Sequence, residues 1–474
     1  MTESRTLRRL KDALSEISSA EAEKIMVAVE RDKLAGGGLP HELILEALRP
    51  RLREEGGKLK RGGAPTPVRH LCWPFEELLV NARPGPKHPG RVARTSIMPV
   101  WDWLVDDRVP DALAEISQRI VDHTLAKDEE SLDAAVAVLH ETCASAIRDG
   151  LEEAKPGSKT RRLLIEKLGG EGVLEDAREM GLLLGVAPRL SVFKTGIPKD
   201  VDELTPALAN EVRDLFDELA EAQPDAAPYA AVIAMRHIVK PWQMFRIVKG
   251  VAHTNTDVLI SRTDISIVGE LLLLDMEEAV DCLETFDPAE QPQDVSEKLK
   301  QFTHISRGIT DEIGVRRDGV WATRLMSARG AVSEIIRDRM DRAPARIFKA
   351  LPMRSTGRFG RGGPSRPDLS REIDPVAAER AVNIVAFIQD ARRYAEAGSF
   401  VGALNSAASE VDKYLDDYER GIVDELRSGE AAIRTRAEAY LDAAAAVVEI
   451  FRSPDEAALL RKRGMLAKDA AAIA

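Results

Sequence analysis

Basic side chains and tryptophans are concentrated between residues 56 and 101. This segment contains eight lysines and arginines but only two acidic residues, which gives it a net charge of +6 in a chain whose formal net charge is −12. Arginine side chains bind phosphate through paired hydrogen bonds, and indole rings stack on bases or lie at a lipid interface. The pattern predicts a surface for an anionic partner: nucleic acid, acidic phospholipid or an acidic protein. The candidate binding residues are Arg69, Trp73, Arg83, Lys87, Arg91, Arg94, Trp101 and Trp103.

The same segment also permits a purely structural interpretation. The aromatic residues in and beside it, among them Trp73 and Trp103, would fix a long irregular loop to the helical body. Its lysines and arginines would neutralise acidic helices of the same chain, which has carboxylates in excess. Long loops without secondary structure are often functional, so both interpretations stay open on the sequence.

A second basic segment covers residues 342–371. It contains eight arginines and lysines against Asp368 alone, a net charge of +7. Residues 358–363, Arg-Phe-Gly-Arg-Gly-Gly, resemble in composition the Arg-Gly-Gly segments of flexible RNA-binding proteins. Arg358 and Arg361 are therefore further candidate binding residues. The alternative is a solvated linker between two acidic domains.

Patterns that would indicate catalysis or a metal are absent from the sequence. His140 and Cys143 are three residues apart, and His70 and Cys72 are two apart, but neither pair has a second pair at zinc-site spacing. Residues 156–160 lack the upstream glycine of a phosphate-binding loop, and no Gly-x-Ser-x-Gly turn occurs. We therefore predict no catalytic residue, no metal and no cofactor.

The composition predicts an all-α fold. Apolar residues make up 44% of the chain, charged residues 31% and aromatic residues only 4%. Alanine, leucine, arginine and glutamate, which favour helices, are abundant, whereas strands favour aromatic and β-branched residues. We expect a multi-helix body with an irregular Gly/Pro-rich basic insert and a small C-terminal helical bundle.

Glycine and proline clusters divide the chain into five predicted segments. N-terminal helices cover residues 1–55, and the irregular basic, tryptophan-rich segment covers 56–108. A helical body covers 109–341, a basic linker covers 342–372, and the C-terminal helical bundle covers 373–474.

Local signals mark individual helices within these segments. Ser18 with Glu21 and Ser453 with Glu456 have the spacing of a capping box, in which each side chain bonds the other residue's backbone N–H. Apolar spacing predicts a long helix over residues 399–427. Residues 190–193 and 257–260 are the only segments that resemble short strands.

The sequence also bears on the protein's location. Three cysteines are too few and too widely spaced for a disulfide framework, and residues 1–14 lack the apolar core of a secretory signal. The most apolar run, residues 265–276, is shorter than the roughly 20 residues that a membrane span needs. We expect a cytoplasmic protein without a transmembrane segment, and the Ala/Arg-rich composition is typical of a bacterium with a GC-rich genome.

Three classes of function are compatible with these observations. The first is a helical scaffold or adaptor that acts through protein–protein interaction, with a protein partner or a second copy of itself. The second is binding to nucleic acid or an anionic membrane through residues 56–101 and 342–371. The third is an all-α enzyme whose site is assembled from residues that are distant in sequence.

Overall fold

The computed structural model describes most of the chain. It covers residues 10, 14, 17–34, 36–54, 66–81, 86–252, 254, 256–316, 319–355, 365–428 and 431–473. These residues form two compact units. The first unit is Met1–Val251 with Asp264–Val268, and the second is Ala252–Thr263 with Gly269–Ala474.

The first unit is built almost entirely from helices. Its α-helices are α1 (Ser19–Leu34), α2 (His41–Glu54), α3 (Pro67–Cys72), α4 (Ile97–Trp103), α5 (Pro110–Ala126), α6 (Glu129–Glu153), α7 (Lys159–Leu168), α8 (Glu171–Gly185), α9 (Ala187–Gly196), α10 (Pro206–Ala222), α11 (Ala227–Arg236) and α12 (Phe245–Ala252). Short 3₁₀ or π turns occupy Trp73–Leu78, Arg94–Ser96, Leu104–Arg108, Pro224–Ala226, Pro241–Met244 and Asp264–Ser266.

The second unit is also helical. Its helices are α13 (Asp257–Ile260), α14 (Ile267–Thr285), α15 (Pro292–Glu312), α16 (Val320–Ala350), α17 (Pro375–Ala391), α18 (Val401–Ser428), α19 (Ala431–Phe451) and α20 (Pro454–Ile473), with a 3₁₀ turn at Arg392–Tyr394. Helices α17 to α20 pack on one another, and α16 packs against α17 and α18. The C-terminal helices therefore share their core with α16.

Strands in the described part of the chain are limited to two short pairs. In the first unit, β1 (Leu79–Val80) pairs in parallel with β2 (Val92–Ala93). In the second unit, β3 (Met353–Ser355) pairs antiparallel with β4 (Ser365–Pro367). The prediction of an all-α, multi-helix protein is confirmed.

The irregular insert predicted at residues 56–108 is not confirmed. Its described residues, 66–81 and 86–108, form short helices, helical turns and the β1–β2 pair. Pro67 and Pro74 each lie in the first turn of such an element, where a missing N–H costs nothing. Proline and glycine therefore limit the length of the elements here without preventing them.

The predicted capping box at Ser18 is confirmed in both of its hydrogen bonds, and the one at Ser453 is confirmed in one of them. The Glu21 backbone N–H donates to Ser18 Oγ (3.3 Å), and the Ser18 backbone N–H donates to Glu21 Oε2 (3.0 Å). At the start of α20, the Glu456 backbone N–H donates to Ser453 Oγ (3.2 Å). The predicted long helix over 399–427 is also present, as α18.

The structure differs from the sequence prediction at Pro344. Helix α16 continues through this proline to Ala350, and so includes the first nine residues of the predicted linker that begins at residue 342. Proline removes one helical hydrogen bond, but Ile336, Met340 and Ile347 are fully buried on both sides of it. Burial of this face outweighs the local cost. The two segments that resemble strands, residues 190–193 and 257–260, are helical in α9 and α13.

Candidate functional site

Lys87, one of the predicted binding residues, lies in a buried ion cluster of the first unit. Its Nζ donates to Glu179 Oε2 (2.7 Å) and to the Arg91 carbonyl oxygen (2.6 Å), and it lies 3.1 Å from Asp176 Oδ1. Asp176 and Glu179 are three residues apart on α8, so they project from the same face. Only 12% of the Lys87 side chain is exposed.

The carboxylate of Asp176 also fixes the chain that follows β2. Its Oδ2 accepts hydrogen bonds from the Ala93 backbone N–H (3.2 Å) and from Ser96 Oγ (2.5 Å). Burial raises the pKa of neighbouring Glu179, and the Lys87 charge opposes that rise. Lys87 therefore supplies the positive charge with which these two buried acidic side chains pair.

A second buried cluster joins the 3₁₀ turn at Trp73–Leu78 to α9. Lys194 Nζ lies 2.6 Å from Glu77 Oε2, donates to the Trp73 carbonyl oxygen (2.6 Å) and lies 4.2 Å from the centre of the Trp73 ring. The last contact is a cation–π interaction. His237 Nε2 lies 3.4 Å from Glu77 Oε1. Burial raises the pKa of Glu77. Hydrogen bonds from His237 and Lys194 outweigh this effect and lower the pKa to about 2.

The other predicted residues are distributed over the first unit. Arg69 forms an ion pair with Glu30 of α1 (2.6 Å), and Arg91 is buried. Trp103 packs on α6, where a Cβ at Gly150 would lie 2.5 Å from its ring.

Trp101 is half-buried and Arg94 is exposed. Arg83, Arg358 and Arg361 lie outside the described residues. Lys87 and Arg69 pair with acidic side chains of the same chain, as the structural interpretation of this basic segment requires. The anion-binding surface stays a prediction, with Arg94 as its exposed member among the described residues.

A separate concave site is present in the second unit. It is an open cleft of about 690 Å³. The end of α14 and the loop after it form one side, and one face of α16 and part of α17 form the others. The cleft combines an apolar floor with a charged rim. Ile335, Ile384, Phe387, Val280 and Phe286 contribute apolar groups to it.

One continuous face of α16 forms the long wall of this cleft. Residues 331, 334, 335, 338, 339, 342, 343 and 346 line it, and their spacing of three and four is that of one helical face. At 1.5 Å per residue, this face is about 22 Å long. It is long enough to lie against several turns of another helix.

Charges are separated along this face. Glu334 and Asp338 lie toward the N-terminal end, whereas Arg342 and Arg346 lie toward the C-terminal end. Arg342 pairs with Asp338 (2.7 Å) and Arg346 pairs with Asp287 (2.6 Å). These arginine side chains are 68% and 44% exposed. Ion pairs at such exposure contribute up to about 1 kcal/mol, so charges of a partner can replace them at little cost.

Arg339 holds the opposite wall of the cleft in place. Its Nη2 donates to the carbonyl oxygens of Leu283 and Phe286, at the C-terminal end of α14. Unpaired carbonyl groups and the helix dipole both favour a cation at this end. Burial lowers the pKa of Arg339. We assign it a positioning role for the loop that contains Asp287.

Sequence reasoning did not identify the cleft. Arg342 and Arg346 belong to the second basic segment, for which the sequence predicts a linker and not a helix. Asp338, Arg342 and Arg346 follow one another at four-residue spacing, and this spacing is a signal for a helical face. The facing residues of α14 and α17 carry no signal of their own, because only tertiary packing brings them to α16.

Comparison with known proteins gives no relative: no family model, curated protein or solved structure matches the chain. Within the described residues, no helix is both long enough and apolar enough to cross a membrane. Nor does this part of the chain contain a group of three histidine, cysteine or acidic side chains placed to hold a metal ion.

The Lys87 cluster makes a direct prediction for stability. Lys87→Met leaves Asp176 and Glu179 buried without a counter-charge, and we expect the free energy of unfolding to fall by about 3–5 kcal/mol. Arg94→Met, at an exposed position of the same segment, should change it by less than about 0.5 kcal/mol. Urea denaturation followed by circular dichroism measures both. Equal stability of the two variants would show that Lys87 does not compensate these acids.

Glu77 makes a prediction for pH dependence. Its pKa is lower in the folded protein than the ordinary value of 4.5, so its stabilising effect is complete above pH 4.5 and is lost as the pH falls toward 2. Glu77→Gln should therefore reduce stability at pH 7, on the order of 3 kcal/mol, and flatten its decline between pH 4.5 and 2. Glu76→Gln is the control. The pKa of Glu76 is raised, mainly by burial and also by the charge of Glu77, so its shift has the opposite direction. A decline as steep in Glu77→Gln as in the wild type would contradict the assignment.

Proposed function

We propose that the protein is a helical scaffold or adaptor that binds a helical segment of a partner protein in the cleft of the second unit. The observation that carries this proposal is the charge-separated face of α16 beside an apolar floor. A helix that lies in a groove buries apolar residues at positions i, i+3, i+4 and i+7 and leaves charges at its edges. The cleft has the matching arrangement of apolar and charged groups.

The chemistry of the cleft defines the segment that it would accept. Such a segment presents an apolar stripe to the half-buried Ile335 and Phe286. It presents an acidic group to Arg342 and Arg346, and a basic group to Glu334 and Asp338. The exposed ion pairs on the rim would exchange for pairs with the partner. Complementary charges select orientation and exclude mismatched partners more than they add affinity.

The proposal includes a location in the cytoplasm of a bacterium. Its support is the state of the cysteines: Cys72, Cys143 and Cys282 are unpaired thiols. Disulfides are rare in the reducing cytoplasm. Burial raises the pKa of both Cys72 and Cys143 to about 12, so these thiols stay protonated and unreactive at neutral pH.

The cleft proposal is tested by blocking the groove. Ala331→Arg places a long side chain on the cleft-facing surface of α16, and Leu163→Arg makes the same kind of change on an exposed position of the first unit. Proteins captured by the immobilised wild type are purified, and their affinity for each variant is measured by calorimetry. We expect Ala331→Arg to weaken binding at least about tenfold, which corresponds to about 1.4 kcal/mol, and Leu163→Arg to leave it unchanged. Partners that bind both variants equally well would reject the cleft.

A second candidate function, binding to a phosphate-rich anion, has one specific observation in its favour. Arg354 of β3 and Arg366 of β4 are directly opposite in the antiparallel pair. Like charges at this position repel each other, and Arg366 lies 3.8 Å from the carboxylate of Glu425. A bound phosphate would relieve the repulsion. Arg358 and Arg361 occur in the sequence between these two strands.

This second candidate is tested by salt dependence. Binding of labelled RNA or acidic liposomes to the wild type should fall steeply between about 50 and about 300 mM salt, since phosphate contacts release counterions. The double variant Arg354→Ser/Arg366→Ser should bind weakly at both concentrations. Arg148→Ser/Arg178→Ser removes the same charge from exposed sites of the first unit and should retain binding. Affinity that is insensitive to salt, or that falls equally in both double variants, would exclude a site on this strand pair.

A further inference from the structure

Helix α14 has an acidic edge beside the cleft. The helix contains six acidic residues and no lysine or arginine. Glu270 and Glu277 form ion pairs with Arg324, but Asp281 and Glu284 are exposed and form no ion pair within the described residues. Carboxylates near the C-terminal end of a helix are unfavourable, because the helix dipole places partial negative charge there. A cationic partner would offset this cost.

This acidic edge faces the site in which the partner segment is proposed to bind. Glu284 lines the cleft, and Val280, one turn before it on α14, adds to the apolar surface. Asp281 comes three residues before Glu284, so the two carboxylates lie along one side of the helix. Glu334 of α16 lines the opposite wall. It too is exposed and has no ion pair in the part of the chain that the structure describes.

The basic residues of the cleft, in contrast, already have partners. Four acidic residues and three arginines line it. Arg342 and Arg346 form ion pairs with acidic residues of the chain, and Arg339 donates to two backbone carbonyl oxygens. Among the described lining residues, the charged groups left without a partner are therefore all negative.

We infer that the partner segment is a basic amphipathic helix, whose lysines or arginines pair with Glu284 and Glu334. The inference rests on the proposed function, since it names the chemistry of the partner for the same cleft. A cation at these two positions forms new ion pairs without breaking any, whereas an acidic group must displace a pair that Arg342 or Arg346 already makes. Unpaired charge of one sign also attracts a partner of the opposite sign and repels one of the same sign. The acidic residues therefore select the partner.

Two synthetic peptides of about 18 residues, about 27 Å long as helices, serve as probes. Both have leucines along one helical face, and the edges of that face carry lysine in one peptide and glutamate in the other. Fluorescence anisotropy measures their affinity for the full-length protein. We expect the lysine peptide to bind at least about tenfold more tightly than the glutamate peptide. Glu284→Gln/Glu334→Gln should weaken the lysine peptide about three- to tenfold, as for two exposed ion pairs. Glu115→Gln/Glu141→Gln removes the same charge from exposed positions of the first unit and should not weaken it.

A charge reversal gives the sharpest readout. In Glu284→Lys/Glu334→Lys the preference should reverse, because the new lysines repel the lysine peptide and attract the glutamate peptide. Circular dichroism confirms that each variant is folded. Equal binding of the two peptides to the wild type, binding of neither, or a preference that the charge reversal leaves unchanged overturns the inference.

Failure of the proposed function has a different signature. A captured partner that is lost in Ala331→Arg but retained by Glu284→Gln/Glu334→Gln uses the cleft without its acidic edge, and overturns the inference alone. A captured partner that Ala331→Arg still binds as tightly as the wild type rejects the cleft itself.

Discussion

The second unit depends on α16 remaining one continuous helix past Pro344. A proline inside a helix costs about 3 kcal/mol, and burial of one large apolar side chain stabilises by about 1.5–3 kcal/mol. Met340 and Ile347 are both fully buried, one on each side of the proline. Their burial offsets the cost. A break at Pro344 would separate Arg346 from Arg342 and Asp338, and the charged face of the cleft would not exist.

The first unit is organised by a different constraint, the burial of charge. Lys87, which lies among the short elements at residues 66–108, pairs with two carboxylates of α8. Lys194 of α9 pairs with Glu77 of these elements. Buried ion pairs add little net stability, but removal of one partner is costly. The positive charge that makes residues 56–101 conspicuous in sequence is therefore partly used within the fold. Specific placement of the segment, more than overall stability, is what these contacts provide.

Local interactions explain which features could be predicted from the sequence. The capping boxes at Ser18 and Ser453 involve residues three apart, and α18 follows from apolar periodicity, so neither depends on distant parts of the chain. The partners of Lys87 are about ninety residues away, and no local pattern points to them. The cleft likewise needs α14, α16 and α17 together. At Pro344 the local rule was misleading, because tertiary burial outweighed it.

We propose that the cleft of the second unit holds a helical segment of another protein chain, and photo-crosslinking tests this proposal most directly. Ile335→p-benzoylphenylalanine places a photo-crosslinking group on the cleft floor, and the same replacement at Leu163 serves as the reference. Irradiation of the protein in cell extract, followed by peptide mapping, identifies what lies within reach of each position. We expect residue 335, and not residue 163, to crosslink to an amphipathic helical segment of another chain, whether a different protein or a second copy. Crosslinks from residue 335 that map only to the same molecule, or that match those from residue 163, would contradict it.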